Sequence, residues 1–241
     1  AITITPNLQL TSAGITQTAA LSVAGATGIN AGANAITLTD SANDFTGTVT
    51  ATGAATQITD TNALTAVLTT TGSTVLTAGG NLVVSGGVSG ATSDLSTTTT
   101  AGGTTAFGVT TVGQNLSVTS AGAVSQTGAL TVTGASNISA SGAAITLTTA
   151  ANNFTGTVTV TGAATQITDT NALTAVLTTT GSTVLVAGGN LVVSGGVSGA
   201  TSDLSTTTTA GGTTAFGVTT VGQNLSVTSA GAVSQTGALT V

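Results

Sequence analysis

A near-exact internal repeat constrains the fold of this chain more than any other feature. Residues 45–132 return as residues 154–241, and only two of the 88 positions differ: Ala51 corresponds to Val160 and Thr77 to Val186. The offset is 109 residues, and it continues upstream in a weaker form, with Ala123 as a one-residue insertion. Self-similarity at a fixed period is typical of stacked repeat architectures.

The repeat predicts one continuous solenoid over residues 1–241. It divides the chain into a partial copy over 1–44, a full copy over 45–153 and a second partial copy over 154–241. The chain begins and ends inside a copy and contains no Met. We therefore expect it to be a section of a longer periodic chain or one unit of a continuous fibre.

Composition excludes several functional classes. The chain has no Lys, Arg, His or Cys, and its only charged side chains are six Asp, which gives a net charge of −6. Without a basic patch, nucleic acid is not an expected partner, and without Cys there is no disulfide framework. No apolar run approaches the 18 or so residues of a membrane-spanning helix. A hydrophobic content of 40% argues against disorder.

The local hydrophobic pattern has a period of two, which indicates β-strands. Thr, which is β-branched and favours strands, fills 61 positions. Between Asn62 and Leu68 a strand is favoured over a helical turn, and two long gaps on either side of Leu82 are expected to contain further strands. Apolar pairs occur at Leu8/Leu10, Leu21/Val23, Ile36/Leu38, Val49/Ala51, Leu82/Val84, Phe107/Val109, Leu116/Val118, Leu130/Val132 and Ile145/Leu147. Corners are predicted at Gly79-Gly80, Gly86-Gly87 and Gly102-Gly103 and at their copies, Gly188-Gly189, Gly195-Gly196 and Gly211-Gly212.

Many short strands with regular turns fit a sandwich, a barrel or a β-solenoid. The near-identical repeat, the small side chains and the scarcity of aromatics favour the solenoid. With about 20 residues per coil, one copy makes about five or six coils, and the whole chain makes a rod of roughly 50 to 60 Å. Stacked identical residues would repel one another if charged, which explains the near absence of charge, whereas Thr, Ser and Asn ladders can hydrogen-bond along the axis.

Several segments resemble the repeats of giant filamentous-haemagglutinin-like surface proteins of bacteria. The resemblance covers most of the chain and is carried by residues 35–49, 58–64 and 115–132. It implies an all-β, right-handed parallel β-helix, export to the cell surface, and a role in adhesion, aggregation or a fibrous coat. The secretion domain typical of that family is not in this sequence. The lack of Lys and Arg favours a built fibre over an adhesive surface.

No catalytic site is predicted, because a nucleophile needs an activating base and the chain has no His, Lys, Cys or Glu. No cofactor or metal is expected either. Asp40 and Asp44 could offer oxygen ligands to calcium, but their counterparts are Thr149 and Asn153. The favoured interpretation is therefore an Asx turn at a coil corner, and the same holds for Asp60 and Asp169 in Ile-Thr-Asp-Thr-Asn.

Other polar and aromatic residues are expected to be structural. The acceptor pattern for N-glycosylation is met at Asn115, Asn137, Asn153 and Asn224. Corner or internal ladder roles are expected for the Asn residues that precede a Leu, namely Asn7, Asn81, Asn115, Asn190 and Asn224. Core positions are expected for the four aromatics, Phe45, Phe107, Phe154 and Phe216. Outward-facing Thr arrays are expected at Thr48/Thr50/Thr52 and Thr157/Thr159/Thr161.

Two functions remain open from the residues and the resemblance. The first is a structural extracellular fibre or sheath protein that associates end to end and contacts neighbouring cells or surfaces. The second is the stalk of a bacterial surface adhesin whose binding tip lies elsewhere. A remote third is ice binding through the Thr arrays, which in such proteins recur in every coil, whereas here they occur about once per copy. An extracellular, cell-surface location is expected for all of these.

Overall fold

The computed structural model describes residues 1–241. The chain is all-β, has no helix and forms a parallel β-solenoid of about 12 coils. Its 30 strands are β1 (Ile2–Ile4), β2 (Leu8–Thr11), β3 (Ile15–Thr16), β4 (Leu21–Val23), β5 (Thr27–Asn30), β6 (Ile36–Leu38), β7 (Asp44–Phe45), β8 (Val49–Gly53), β9 (Thr56–Asp60), β10 (Leu64–Thr70), β11 (Thr74–Ala78), β12 (Leu82–Val88), β13 (Leu95–Thr99), β14 (Thr105–Val112), β15 (Leu116–Thr119), β16 (Val124–Gln126), β17 (Leu130–Val132), β18 (Ser136–Ser139), β19 (Ile145–Leu147), β20 (Asn153–Phe154), β21 (Val158–Gly162), β22 (Thr165–Asp169), β23 (Leu173–Thr179), β24 (Thr183–Ala187), β25 (Leu191–Val197), β26 (Leu204–Thr208), β27 (Thr214–Val221), β28 (Leu225–Thr228), β29 (Val233–Gln235) and β30 (Leu239–Thr240).

Two long parallel sheets form the body of the solenoid. The front sheet has 14 strands, in the order β2-β5-β8-β10-β12-β14-β16-β19-β22-β24-β26-β28, and β17 and β20 attach to it beside β14. The rear sheet has 13 strands, in the order β3-β6-β9-β11-β13-β15-β18-β21-β23-β25-β27-β29, and β30 attaches beside β27. A short side sheet contains β1, β4 and β7. Each coil contributes one strand to the front sheet and one to the rear sheet, and some coils add a third short strand.

Alternation along each strand fills the space between the sheets with small apolar side chains. The burial pattern of β10, for example, alternates between buried and more exposed positions from Leu64 to Thr70. A single cluster of 46 buried hydrophobic residues runs through the solenoid. Its largest members include all four Phe residues, each at most 1% exposed, which confirms their predicted place in the core.

The two copies of the repeat occupy opposite sheets. Strand β10 lies in the front sheet, and the identical sequence in the next copy, β23, lies in the rear sheet. Conversely, β11 lies in the rear sheet and its copy β24 lies in the front sheet. From β10 to β23 the chain makes five whole coils and then crosses to the other sheet, so one copy spans five and a half coils. Each copy is thus turned by half a revolution relative to the previous one.

The structure confirms most of the predicted strands and corrects two of the predicted corners, which are copies of each other. Strands β9, β10 and β11 fill the first long gap and β13 lies in the second, and residues 64–70 form a strand, as expected. The predicted corners at Gly86-Gly87 and at its copy Gly195-Gly196 are wrong, because these residues lie inside β12 and β25. Gly86 adopts a φ of 97° there. The register between β12 and β14 shifts after Val84, which identifies a β-bulge.

The bulge also corrects the predicted pairing of Phe107 with Val109 on one face. Phe107 is fully buried, whereas Val109 is 68% exposed. An extra residue in a strand reverses the alternation beyond it, so the second side chain turns to the outside. Val112, further along β14, points into the core again.

The expectation that identical residues stack above one another is only partly correct. Leu64 pairs with Leu82, and Ser96 pairs with Ser117, but Thr65 pairs with Val83 and Thr74 pairs with Leu95. Neighbouring coils come from different parts of the same copy, and identical sequences lie five and a half coils apart. One outward column is a Thr ladder, because Thr59, Thr77, Thr98 and Thr119 are in register on four successive strands of the rear sheet. Other columns mix residue types, and the core combines apolar columns with buried Thr.

Candidate interaction surfaces and buried polar groups

One solenoid corner is held by side chains that each bind the coil that follows. The hydroxyl of Ser73 accepts a hydrogen bond from the amide of Asp94 (3.1 Å). The carboxylate of Asp94 accepts one from the amide of Asn115 (3.0 Å), and the Asn115 side chain accepts one from the amide of Ala135 (2.9 Å). These side chains replace a broken backbone ladder at the turn. Equivalent bonds link Ser182, Asp203 and Asn224 in the second copy.

The predicted corner role of the Asn residues before Leu is confirmed. Asn7 accepts from the amide of Ala26 (2.9 Å), and Asn81 accepts from the amide of Thr104 (3.0 Å). Asn190 repeats the contact of Asn81 one copy later. These side chains form hydrogen bonds between successive coils, which supports a structural role for them.

A buried amide pair, which the sequence pattern did not reveal, also joins different coils. The side chains of Gln17 and Asn43 exchange two hydrogen bonds (2.7 and 2.9 Å). Asn43 is fully buried and also donates to the carbonyls of Leu38 and Thr59. Gln126 and Asn152 form the same pair in the next copy. The only available signal was the recurrence of Gln and Asn at the same phase of the repeat.

Two aspartates are buried in the solenoid wall. Asp60 is 1% exposed and accepts hydrogen bonds from the amides of Asn62 (3.2 Å) and Phe45 (3.3 Å). Loss of water around the carboxyl is the main cause that raises its pKa from 3.8 to about 6, and the nearby Asp44 raises it further, against the hydrogen bonds, which lower it. Burial likewise raises the pKa of Asp169.

The bond from Asn62 to Asp60 is the predicted Asx turn, and Asp169 forms the same turn with Asn171. What the sequence did not indicate is the burial. A carboxylate that closes its own turn is usually exposed at a corner, whereas these two lie at the ends of strands that are covered by the neighbouring coils.

The carboxylates of Asp40 and Asp44, the candidate calcium ligands, accept hydrogen bonds from groups of the protein itself. Asp40 accepts a hydrogen bond from the amide of Ala42 (3.0 Å), which is the predicted Asx turn. Asp44 accepts one from the side chain of Asn62 (3.0 Å). The structure contains no group of three or more acidic side chains that could hold a metal ion.

The Thr arrays face outward as predicted, but each follows a single strand. Thr50 is exposed on β8, and its neighbours in the adjacent coils are Gly28 and Val67. The array therefore does not extend along the axis as a regular Thr surface. Among the Asn residues that fit the glycosylation pattern, Asn137 and Asn224 are exposed.

Exposed valines form a surface that the sequence pattern did not reveal. On the front sheet, Val67, Val83, Ala106 and Val109 point outward from three successive strands, β10, β12 and β14. Val83 is 41% exposed and Val109 is 68% exposed. We call these four residues the front valine strip. The rear valine strip consists of their copies on β23, β25 and β27, namely Val176, Val192, Ala215 and Val218.

No helix that is long and apolar enough to span a membrane occurs in the structure. Comparison with known proteins finds neither a curated protein nor a solved structure that matches the chain. One protein family does match: it is described as repeats of unknown function (DUF5649), and the match covers residues 1–52, 92–161 and 201–241.

The three matched segments correspond to one another through the 109-residue repeat, and together they cover about two thirds of the chain. They enclose the buried amide pairs and the corner formed by Asp94 and Asn115. The unmatched residues 53–91 and 162–200 contain β10 and β12 and their copies. The chain therefore belongs to the DUF5649 family of repeats of unknown function.

Proposed function

We propose that this chain is a structural unit of an extracellular fibre or sheath, in which the β-solenoid itself is the functional product. The observation that carries the proposal is the unbroken stacking of coils across copies of the repeat. The front and rear sheets continue from the first coil to the last, and the change of copy interrupts neither of them. A rod of this kind gains length with each added copy, because each coil contacts only its neighbours.

The polar groups support the same proposal. Asp94, Asn115 and the amide pair of Gln17 and Asn43 bind backbone and side chains of adjacent coils. The chain uses its functional groups to hold itself together. An extracellular location is supported by the resemblance of residues 35–49, 58–64 and 115–132 to bacterial surface-protein repeats.

End-to-end contact between copies is part of the proposal. Each coil contacts only its neighbours, and the end strand of one rod can pair with the end strand of another.

Cryo-electron microscopy of filaments on the source cells tests the function. A continuous thread with a strand spacing of about 4.8 Å along its axis is the expected result. Short rods that each end in a distinct globular head would instead support the stalk of a surface adhesin. Absence of this chain from surface filaments, shown by labelling with an antibody against the purified protein, would overturn both.

A further inference from the structure

We propose that the two valine strips are lateral docking surfaces for second copies of this chain, so that rods pack side by side into layers. This inference concerns the sides of the rod and goes beyond the proposed function, which needs only growth along the axis. The partner is a second copy of the same protein. Three observations support this choice: the shape of the strip, its lack of charge, and its presence on both faces.

The shape of each strip is self-complementary. Val109 stands out from the bulge in β14, with 68% of its surface exposed. Nearby on β12, Gly87 has no side chain and faces open space. A knob and a shallow hollow thus lie next to each other on one face. Two copies related by a twofold axis can each place Val109 against the glycine hollow of the other, as in isologous interfaces.

The charge of the strips also points to a copy of this chain. Strands β10, β12 and β14 carry no charged side chain, and their outward residues are Val, Thr, Ala, Ser and Gly. A charged partner would meet no side chain of opposite charge on this surface. A second copy offers the same uncharged β-branched surface, and such faces pack closely in sheet-on-sheet contacts about 10 Å apart.

The half turn between copies places one strip on each side of the rod. The front strip lies on β10, β12 and β14, and the rear strip lies on β23, β25 and β27 of the opposite sheet. A protein with one self-complementary surface stops at pairs. A rod with two such surfaces on opposite faces can add a neighbour on each side and so extend into a layer.

The test is negative-stain electron microscopy of the purified full chain after assembly, in which the number of adjacent rods is counted. Wild type is expected to form layers of three or more rods. Val109→Asp places a charge on the front strip only, so rods should associate no further than pairs. Val109→Asp combined with Val218→Asp places a charge on both strips and should give single rods of unchanged length.

The matched control carries the same two charges on valines outside the strips. Val75→Asp with Val184→Asp changes residues that are 40% and 38% exposed on β11 and β24, and these rods should still form layers. A second variant, Gly87→Val with Gly196→Val, fills the hollow where open space is available and should also reduce layers to single rods. Circular dichroism and thermal unfolding confirm that each variant is folded before the rods are counted.

Wild-type rods that stay single would overturn the proposal, as would layers that persist in the Val109→Asp, Val218→Asp variant. Equal loss of layers in the Val75→Asp, Val184→Asp control would also overturn it, because the effect would then be one of general charge. Rod length is measured in the same images. Long single rods in wild type would contradict only the lateral docking, and short rods in every sample would contradict axial growth.

Discussion

At the scale of single residues, the buried carboxyls make stability depend on pH. The pKa of Asp60 is about 6 in the folded chain, above its ordinary value of 3.8, because burial disfavours the charged form. The folded state therefore binds the proton more tightly than the unfolded state does. The resulting stabilisation is fully present below about pH 4 and is lost as the pH rises through about 6.

We expect the thermal unfolding midpoint to fall between pH 4 and pH 7. Asp60→Asn combined with Asp169→Asn should flatten this dependence, because an amide does not ionise in this range. Asp94→Asn with Asp203→Asn removes the same number of charges from partly exposed corners and serves as the control for the loss of charge alone. A midpoint that rises from pH 4 to pH 7 in the wild type would contradict the role of the buried carboxyls.

Buried hydroxyls differ in whether they have a partner. The hydroxyl of Thr97 and that of its copy Thr206 are buried without a hydrogen-bond partner. An unsatisfied buried hydroxyl costs roughly 1–3 kcal/mol, and Val has nearly the same shape as Thr. Thr97→Val with Thr206→Val should therefore raise the unfolding midpoint in urea.

The matched control for Thr97 is Thr110, which is equally buried but has partners. Its hydroxyl donates to the carbonyls of Gly108 (3.1 Å) and Val84 (3.3 Å). Thr110→Val with Thr219→Val removes these bonds and should cost about 1 kcal/mol per site. If the unfolding midpoint in urea changed in the same direction for both pairs of substitutions, the hydrogen-bond partner of the hydroxyl would not be what decides the effect.

At the scale of elements, the bulge between β12 and β14 depends on one glycine. Gly86 has a φ of 97°, and a Cβ there would collide with the carbonyl of Leu68 in β10. Gly87 is next to it, lacks a positive φ and has open space around a Cβ. Gly86→Ala should therefore lower the free energy of unfolding by at least about 1–3 kcal/mol, whereas Gly87→Ala should be close to neutral.

Chemical unfolding of the two variants, each made in both copies at Gly86/Gly195 or Gly87/Gly196, measures the difference. Because Gly to Ala also restricts the unfolded chain, Gly87→Ala serves as the control for that effect. Equal destabilisation of both variants would mean that the bulge does not require a left-handed residue.

The strands were largely predictable from the sequence because most of them alternate in a simple way. Leu116 and Val118 in β15, or Ile145 and Leu147 in β19, are inward residues that period two identifies directly. The same period of two is wrong for Phe107 and Val109, because a bulge changes the register between them. Nothing in the sequence Phe-Gly-Val specifies a bulge. Gly86-Gly87 was predicted as a corner because a glycine pair has the same composition in a turn and in a bulged strand.

The polar sites were less predictable than the strands. Asp40 was assigned to an Asx turn correctly because the bond to Ala42 is local. The pair of Gln17 and Asn43, 26 residues apart, depends on the pitch of the coil, which the sequence does not specify. The valine strips were missed for a similar reason. Val67, Val83 and Val109 become neighbours only when three coils are stacked.

At the scale of the whole molecule, the repeat and the coil do not share a period. The estimate of five or six coils per copy included the observed five and a half, but the half coil was not expected. It means that two copies, or eleven coils, are needed before the rod returns to its starting orientation. Helical reconstruction of a fibre should therefore give a rise of about 26 Å with a half-turn rotation, and a true repeat of about 53 Å. A rise of about 26 Å without rotation would contradict the exchange of sheets between copies.

The half coil also has a mechanical consequence. In the first copy the longest strands, β10, β12 and β14, have seven or eight residues and lie in the front sheet, whereas its rear strands have at most five. A single copy is therefore expected to bend towards one side. The next copy presents the same difference in the opposite direction, and its bend cancels the first. A fibre built from this repeat stays straight over long distances even though none of its copies needs to be straight.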